Sequence, residues 1–142
     1  MRAALFDSSV YISGIRRGDD AVLAQRRLSP DTLLWLSSVV LEELYAGAGS
    51  EIRDSVERLE YDFERAKRIL VPNLGDWTQT GRVLARVAAK YGHEKIGQGR
   101  LTNDALIAMS AGRIGAQVLT MNERDFRKLA EFRSFQWAVA AF

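Results

Sequence analysis

Residues 3–9 of the chain read Ala3-Ala4-Leu5-Phe6-Asp7-Ser8-Ser9, a short apolar run that ends at a carboxylate followed by two serines. This pattern is typical of a buried strand that passes directly into a helix, because aspartate and serine are preferred at helix N-termini. Asp7 would then lie at the carboxyl end of the first strand. In open parallel sheets, ligands bind outside the carboxyl ends of strands, so this position is a candidate for function.

The same strand-to-helix alternation continues along the chain. Further apolar runs occupy residues 32–36, 69–71, 117–120 and 135–142. Helical spacing of apolar residues is found at residues 39–46, 51–68, 76–91 and 102–113, and a short helix containing Phe126 follows the fourth run. We therefore predict an α/β fold, a three-layer α/β/α sandwich around a central parallel sheet of four to five strands. Asp76, with Gln79 three residues later, is predicted to cap one of the helices.

Composition narrows the possible functions. The chain has 142 residues of which 47% are hydrophobic, which predicts a single domain over residues 1–142. It has no cysteine and only one histidine, His93, so oxygen ligands and hard cations such as Mg²⁺ or Mn²⁺ are favoured for any metal site. A net charge of +2 permits a nucleic-acid substrate without requiring one. Without an apolar run near the ~20 residues that span a bilayer, no membrane association is predicted, and we expect a cytoplasmic protein.

Glu43 is a carboxylate on an apolar helix face. Val39 and Val40 lie one turn before it, whereas Glu42 points about 100° away, toward the polar side of the helix. Charged side chains are rarely buried unless they are paired, so Glu43 needs a cationic partner. Arg113 or Arg16 could serve as that partner, and so could a metal ion.

Asp104 shows a similar conflict, because Ile107 and Ala108 lie one turn further along its helix. Both Asp104 and Glu43 are predicted to face the sheet. Carboxylates brought together in a partly buried cleft raise one another's pKa unless a cation neutralises them. A divalent metal would resolve this repulsion.

Each acid also has a purely structural explanation. Asp7 and Asp104 would stabilise helix N-termini whether or not they bind a ligand. Asn122 and Asp125 could be a helix cap and its return partner. For the individual residues these explanations remain open.

Considered together, four segments resemble the signature segments of PIN-domain toxins of the VapC type, in the order found in that family. They are residues 5–9, 43–47, 102–108 and 120–126. The resemblance implies an endoribonuclease that hydrolyses RNA phosphodiester bonds, with one or two Mg²⁺ or Mn²⁺ ions held by Asp7, Glu43, Asp104 and Asp125. It further implies that Ser8, Thr120 and Asn122 line the site. Members of the family differ in the fourth acid, so Asn122 and Asp125 compete for that role.

The resemblance also implies partners: a cognate antitoxin of a type II toxin-antitoxin pair, and a second copy of the chain in a homodimer. Basic residues on one predicted helix face and in the glycine-bearing segment 92–100 are candidates for RNA contacts, although solvent-exposed faces often carry such residues. They are Arg82, Arg86, His93, Lys95 and Arg100.

There are three alternative functions. Phosphoryl transfer through Asp7 would require a second aspartate two residues later, where this chain has Ser9. A catalytically weak PIN-like module that binds RNA or protein remains an alternative, although Asp7, Glu43 and Asp104 are all present. The third is a PIN nuclease that processes RNA and has no antitoxin.

Overall fold

The computed structural model describes residues 2–16, 30–93 and 100–140. The strands are β1 (Arg2–Phe6), β2 (Thr32–Ser37), β3 (Ile69–Leu70), β4 (Gln117–Thr120) and β5 (Trp137–Val139). The helices within the described residues are α1 (Ser8–Arg16), α2 (Ser38–Gly47), α3 (Ser50–Arg65), α4 (Leu74–Tyr91), α5 (Arg100–Ile114) and α6 (Glu123–Ala130).

The five strands form one sheet in the order β3-β2-β1-β4-β5, and all neighbouring strands pair in parallel. Leu5 in the central strand is in register with Trp35 of β2 on one side and with Val118 of β4 on the other. The strand order reverses between β1 and β4, because the chain moves outward from β1 first in one direction and then in the other. The predicted central parallel sheet is confirmed, and a crevice is expected beyond the carboxyl ends of β1 and β4.

The helices pack as two groups. Helix α2 contacts both α1 and α3, whereas α4, α5 and α6 contact one another. Right-handed crossovers between parallel strands place these two groups on opposite faces of the sheet, which gives the predicted α/β/α sandwich. The centre is closely packed, and its fully buried side chains include Phe6, Leu36, Val40, Ile107 and Val118.

Local sequence explains how the helices begin near the sheet. Ser37, the last residue of β2, caps α2 by accepting a hydrogen bond from Val39 N. The prediction that Asp76 caps α4 was wrong: Asn73 is the N-cap, and Asp76 is the third residue of its capping box. The helix therefore begins at Leu74, because asparagine in an extended conformation satisfies the first free amides.

Helix α5 passes through the middle of its layer, and residues 104–111 are all buried. Asp104 and Ser110 are the polar residues in that stretch. Ser110 satisfies its hydroxyl within the helix by donating to Leu106 O at 2.6 Å. Among the described residues, no helix is long and apolar enough to cross a lipid bilayer.

Candidate active site

The candidate site lies where the strand order reverses. Asp7 directly follows β1 and Thr120 ends β4, so parallel pairing of the two strands brings their side chains to the same edge. Thr120 Oγ1 donates a hydrogen bond to Asp7 Oδ2 at 2.6 Å. Both residues are almost completely buried, with exposures of 2% for Asp7 and 0% for Thr120.

The second oxygen of Asp7 holds the turn into α1. Asp7 Oδ1 accepts hydrogen bonds from Ser9 N at 3.1 Å and from Ser9 Oγ at 2.5 Å. Ser9 Oγ in turn accepts a bond from Met121 N at 3.0 Å, which joins this turn to the one after β4. Burial raises the pKa of Asp7, and the hydrogen bonds from Ser9 and Thr120 oppose that rise. Asp7 therefore does cap α1, as its structural explanation requires, and also faces the crevice.

Asn122 brings two further acids together. Its backbone amide donates to Thr120 Oγ1 at 2.8 Å, which turns the side chain toward the crevice. The side-chain amide then donates to Asp104 Oδ2 at 3.3 Å and to Asp125 Oδ2 at 3.0 Å. Asn122 is the residue before α6, but its side chain makes no capping hydrogen bond there. The structure thus favours a site-lining position over the alternative of an ordinary helix cap.

A cavity of about 410 Å³ contains these groups. Its lining residues are Asp7, Ser8, Ser9, Leu101, Asp104, Met121, Asn122, Arg124, Asp125 and Lys128. Three of the predicted acids therefore share one cavity with Asn122 and Ser8, and Thr120 lies behind Asp7. Such a concentration of carboxylates is unfavourable without a cation and is unusual outside functional sites.

Glu43 lies beside the cavity. As the helical phase predicts, Glu42 is exposed and Glu43 is partly buried. Burial raises the pKa of Glu43, and the charge of Asp7 adds to the rise, while hydrogen bonding with Asn103 and Ser8 opposes it. Glu43 Oε1 is buried and has no hydrogen-bond partner among the described residues.

One of the two arginines suggested as partners of Glu43 binds a different acid. Arg113 Nε instead binds Asp76, at 3.2 and 2.9 Å to its two oxygens. The side chain of the other candidate, Arg16, lies outside what the structure describes. Among the described residues, Glu43 thus keeps an unsatisfied buried oxygen, which normally costs about 1–3 kcal/mol or more for a charged group.

The donor chemistry of the site suits a hard divalent cation, because it offers carboxylate oxygens, including the unsatisfied oxygen of Glu43. Within the described residues, however, no three His, Cys, Asp or Glu side chains form a ready-made cluster that could hold a metal ion. The fit is therefore one of ligand type, charge and location. Coordination would require side-chain movements, such as release of Asp104 and Asp125 from Asn122.

The basic residues predicted to contact RNA lie elsewhere or beyond what is described. Arg82 and Arg86 are exposed on α4 and do not line the acidic cavity, and Arg86 Nη1 donates to Phe132 O at 3.5 Å. His93 is exposed just after α4. Lys95 lies outside the described residues, as does the side chain of Arg100, whose backbone begins α5.

The sequence interpretation missed Arg124 and Lys128, which line the cavity, and Asn103, which helps to hold Glu43. A signal was present, because Lys128 lies three positions after Asp125 and four positions after Arg124 on one helix. Residues three or four positions apart are neighbours on a helix surface.

The fold and the acidic cavity define a doubly wound parallel α/β domain with a carboxylate site at its topological switch point. The model of the PIN domain family matches residues 4–132, and the chain belongs to this family.

Several solved structures have the same fold. The DNA-bound VapBC structure from Salmonella typhimurium has 21% identity, covers 98% of both chains and superposes with a TM-score of 0.68. VapBC2 from Rickettsia felis, bound to a promoter DNA fragment, has 18% identity, coverage of 98% of this chain and 99% of that chain, and a TM-score of 0.68. VapBC-5 from Mycobacterium tuberculosis, of the VapBC family of toxin-antitoxin systems, has 22% identity, full coverage of both chains and a TM-score of 0.55. At these identities the likeness concerns the fold. No curated protein matches the chain in sequence.

Proposed function

We propose that the chain is a divalent-metal-dependent endoribonuclease and the toxin of a type II toxin-antitoxin pair. The observation that carries this proposal is the convergence of Asp7, Asp104 and Asp125 on one cavity at the switch point of a PIN domain. Glu43, with its unsatisfied buried oxygen, completes the proposed catalytic set.

These four carboxylates would hold one or two Mg²⁺ or Mn²⁺ ions. When bound, the cation lowers the pKa of water and neutralises charge that develops on the phosphate oxygens. Neutralisation by the cation would also offset the mutual repulsion of the acids.

The chain's own residues orient the reaction. Thr120 and Ser9 hold the two oxygens of Asp7, so this carboxylate cannot rotate away from the cavity. Asn122 keeps Asp104 and Asp125 side by side. One of the carboxylates accepts a proton from the attacking water, so no protein nucleophile is needed. The water oxygen bonds to phosphorus as the bond from phosphorus to the 3′ oxygen breaks, and the released oxygen takes up a proton to become a 3′ hydroxyl.

The toxin assignment extends this proposal to partners and location. VapBC-5, which shares the fold, is described as a member of a family of toxin-antitoxin systems, which supports a cognate antitoxin as partner of this chain. We also propose a homodimer and a cytoplasmic location, where RNA substrates are available. Because one sheet includes every described strand, we propose that residues 1–142 act as a single domain.

The test is RNA cleavage by the purified chain with Mg²⁺ or Mn²⁺, repeated with EDTA and with the variants Asp7→Asn and Asp104→Asn. Each substitution keeps the size of the side chain but removes its charge, and should lower the cleavage rate by at least about a hundredfold. Asp62→Asn, an exposed position on α3, is the matched control and should cleave normally.

Cleavage that survives chelation and both substitutions would refute the metal-carboxylate mechanism, whereas no cleavage under any condition would favour a binding module. Expression in cells separates the remaining alternative. If the chain is a toxin, expression of the wild type arrests growth and expression of Asp104→Asn does not. If it is a nuclease of RNA processing, expression of either form leaves growth unaffected.

A further inference from the structure

A second cavity of about 590 Å³ adjoins the acidic one along α6. The two cavities share Met121, Asn122, Arg124 and Lys128. The second continues past these residues to Tyr91, Glu123, Arg127 and Glu131. Because they share these residues, the two depressions adjoin on the surface, and we call them together the α6 groove, which extends from the acids to Tyr91 at the end of α4.

Two cations in the α6 groove differ from the others. Arg127 is paired with Glu123, and Glu131 at the far end is paired with Lys90, which does not line the groove, at 3.0 Å. Arg124 and Lys128, which are one helical turn apart, have no ion-pair partner in the part of the chain that the structure describes. Both line the two cavities, so their charges lie between the acids and the outer part of the groove.

Lys128 is held in this position by contacts other than an ion pair. Its Nζ lies 5.0 Å from the centroid of the Tyr91 ring, a distance at which a cation is attracted to an aromatic face. The Tyr91 hydroxyl donates to Glu131, at 2.7 Å to Oε1, which fixes the ring. The ammonium group of Lys128 is therefore oriented by its surroundings. It makes no close ion pair among the described residues, although its charge also acts on Glu131 at longer range.

We propose that the α6 groove binds the sugar-phosphate backbone of single-stranded RNA next to the phosphodiester that enters the acidic cavity. The acids at the centre repel a polyanion, and unpaired cations on the adjoining helix offset that repulsion. Exposed Met121, at the junction of the two cavities, offers an apolar surface to a ribose or base. The assignment of RNA as the ligand rests on the proposed function.

The burial of the acids favours a single strand over a duplex. Asp7 is 2% exposed and Asp104 is 5% exposed, so a phosphodiester must enter the recess to approach them. A single strand or an unpaired loop can bend its backbone into such a recess, whereas regular A-form RNA presents phosphates on a wide, stiff surface.

The experiment measures binding separately from cleavage. In an Asp104→Asn background, a fluorescent single-stranded RNA of about 12 nucleotides, a length suited to one such site, is titrated against Arg124→Gln/Lys128→Gln. Arg53→Gln/Arg58→Gln, which removes two exposed charges from α3, is the matched control with the same net charge. We expect about tenfold weaker binding for the groove variant, and a salt dependence whose slope falls by about 1.4, the value for two phosphate contacts on a single strand.

Equal loss of affinity in both double variants would overturn the proposal, because the effect would then reflect net charge alone. Unchanged affinity in the groove variant would also overturn it and leave the groove to a protein segment. Duplex RNA of the same sequence should bind more weakly, and equal binding would refute the preference for a single strand. If no RNA is cleaved in the separate activity assay but the groove variant still loses RNA affinity, the proposed function fails while this inference stands.

Discussion

Two buried aspartates, Asp7 and Asp76, have similar exposure but opposite surroundings. Asp76 is 4% exposed, and it accepts hydrogen bonds from Asn73 N at 2.9 Å and from Arg113 Nε at 2.9 Å to the same oxygen. Arg113 also donates to Val71 O at 3.1 Å, which ties β3, α4 and α5 together. The charge of Asp76 is thus matched by a guanidinium group, as expected for a buried ion that serves the structure.

The groups that donate hydrogen bonds to Asp7 are neutral, and other acids line the same cavity. Ser9 and Thr120 satisfy its hydrogen bonds without supplying a positive charge, and the charge of Asp7 contributes to the raised pKa of Glu43. The comparison teaches that burial alone does not mark a functional acid. A better indicator is a buried acid that has its hydrogen bonds but no cationic partner, because a bound cation could then balance its charge.

The largest expected effect in this comparison concerns Asp76. Asp76→Ala removes one half of the capping box and leaves Arg113 without its carboxylate, so we expect a loss of about 2–3 kcal/mol in the free energy of unfolding. This loss of stability is smaller than for a fully buried pair because the Arg113 side chain is 37% exposed. Chemical denaturation measures the loss, with Asp62→Ala as the control. A variant that lost cleavage but kept its stability would contradict the structural role of Asp76.

A smaller effect is expected when the acidic cavity binds the proposed cation. At an ion concentration about ten times its dissociation constant, Mg²⁺ or Mn²⁺ should stabilise the fold by about 1.4 kcal/mol. Thermal unfolding with and without the ion measures this gain. The gain should disappear in Asp104→Asn and persist in Asp76→Asn, and equal stabilisation of both variants would place the ion elsewhere.

The smallest effect is a pH dependence of stability without metal. The raised pKa of Glu43 means that the fold favours its protonated form. The stability associated with that proton is present below the ordinary pKa of 4.5 and is lost as the pH rises through the raised value. Glu43→Gln should therefore be more stable than wild type at pH 7 in EDTA, and the two should converge in acid.

Glu42→Gln is the matched control for this measurement, because Glu42 is exposed one residue earlier. It should change the pH dependence less than Glu43→Gln does. A Glu43→Gln variant that was less stable than wild type at pH 7 would show that the carboxylate is already compensated in the absence of metal.

The fold was largely predictable because apolar runs and amphipathic helices alternate regularly along the chain, although β3 and β5 are only two and three residues long. The apolar run before Asp7 and the spacing around Glu43 depend only on period and polarity, which the sequence displays directly. The order of the strands in the sheet cannot be read from period and polarity. The pairing of β1 with β4, which creates the crevice, is visible only in the structure. The start of α4 was misjudged because Asn73 and Asp76 are both good cap residues, and only the backbone conformation distinguishes them.

The residues around the acids were harder to predict than the acids themselves. Arg124 and Lys128 lie in the charge-rich segment 123–128, where any of several basic side chains could face the cavity. Their orientation depends on how α6 packs through buried Phe126 and Leu129. For Arg82 and Arg86, regular spacing on a helix suggested a surface for RNA, but the structure places that face outside the acidic cavity.

The hydrogen bond from Thr120 to Asp7 joins residues 113 positions apart, and it has a consequence for synthesis on the ribosome. The first strand is translated well before its neighbour β4, because most of the described elements lie between them in the chain. A nascent chain therefore cannot assemble the cavity until residues 117–125 have left the exit tunnel. Any chemistry that the cavity performs must wait until both segments have been translated.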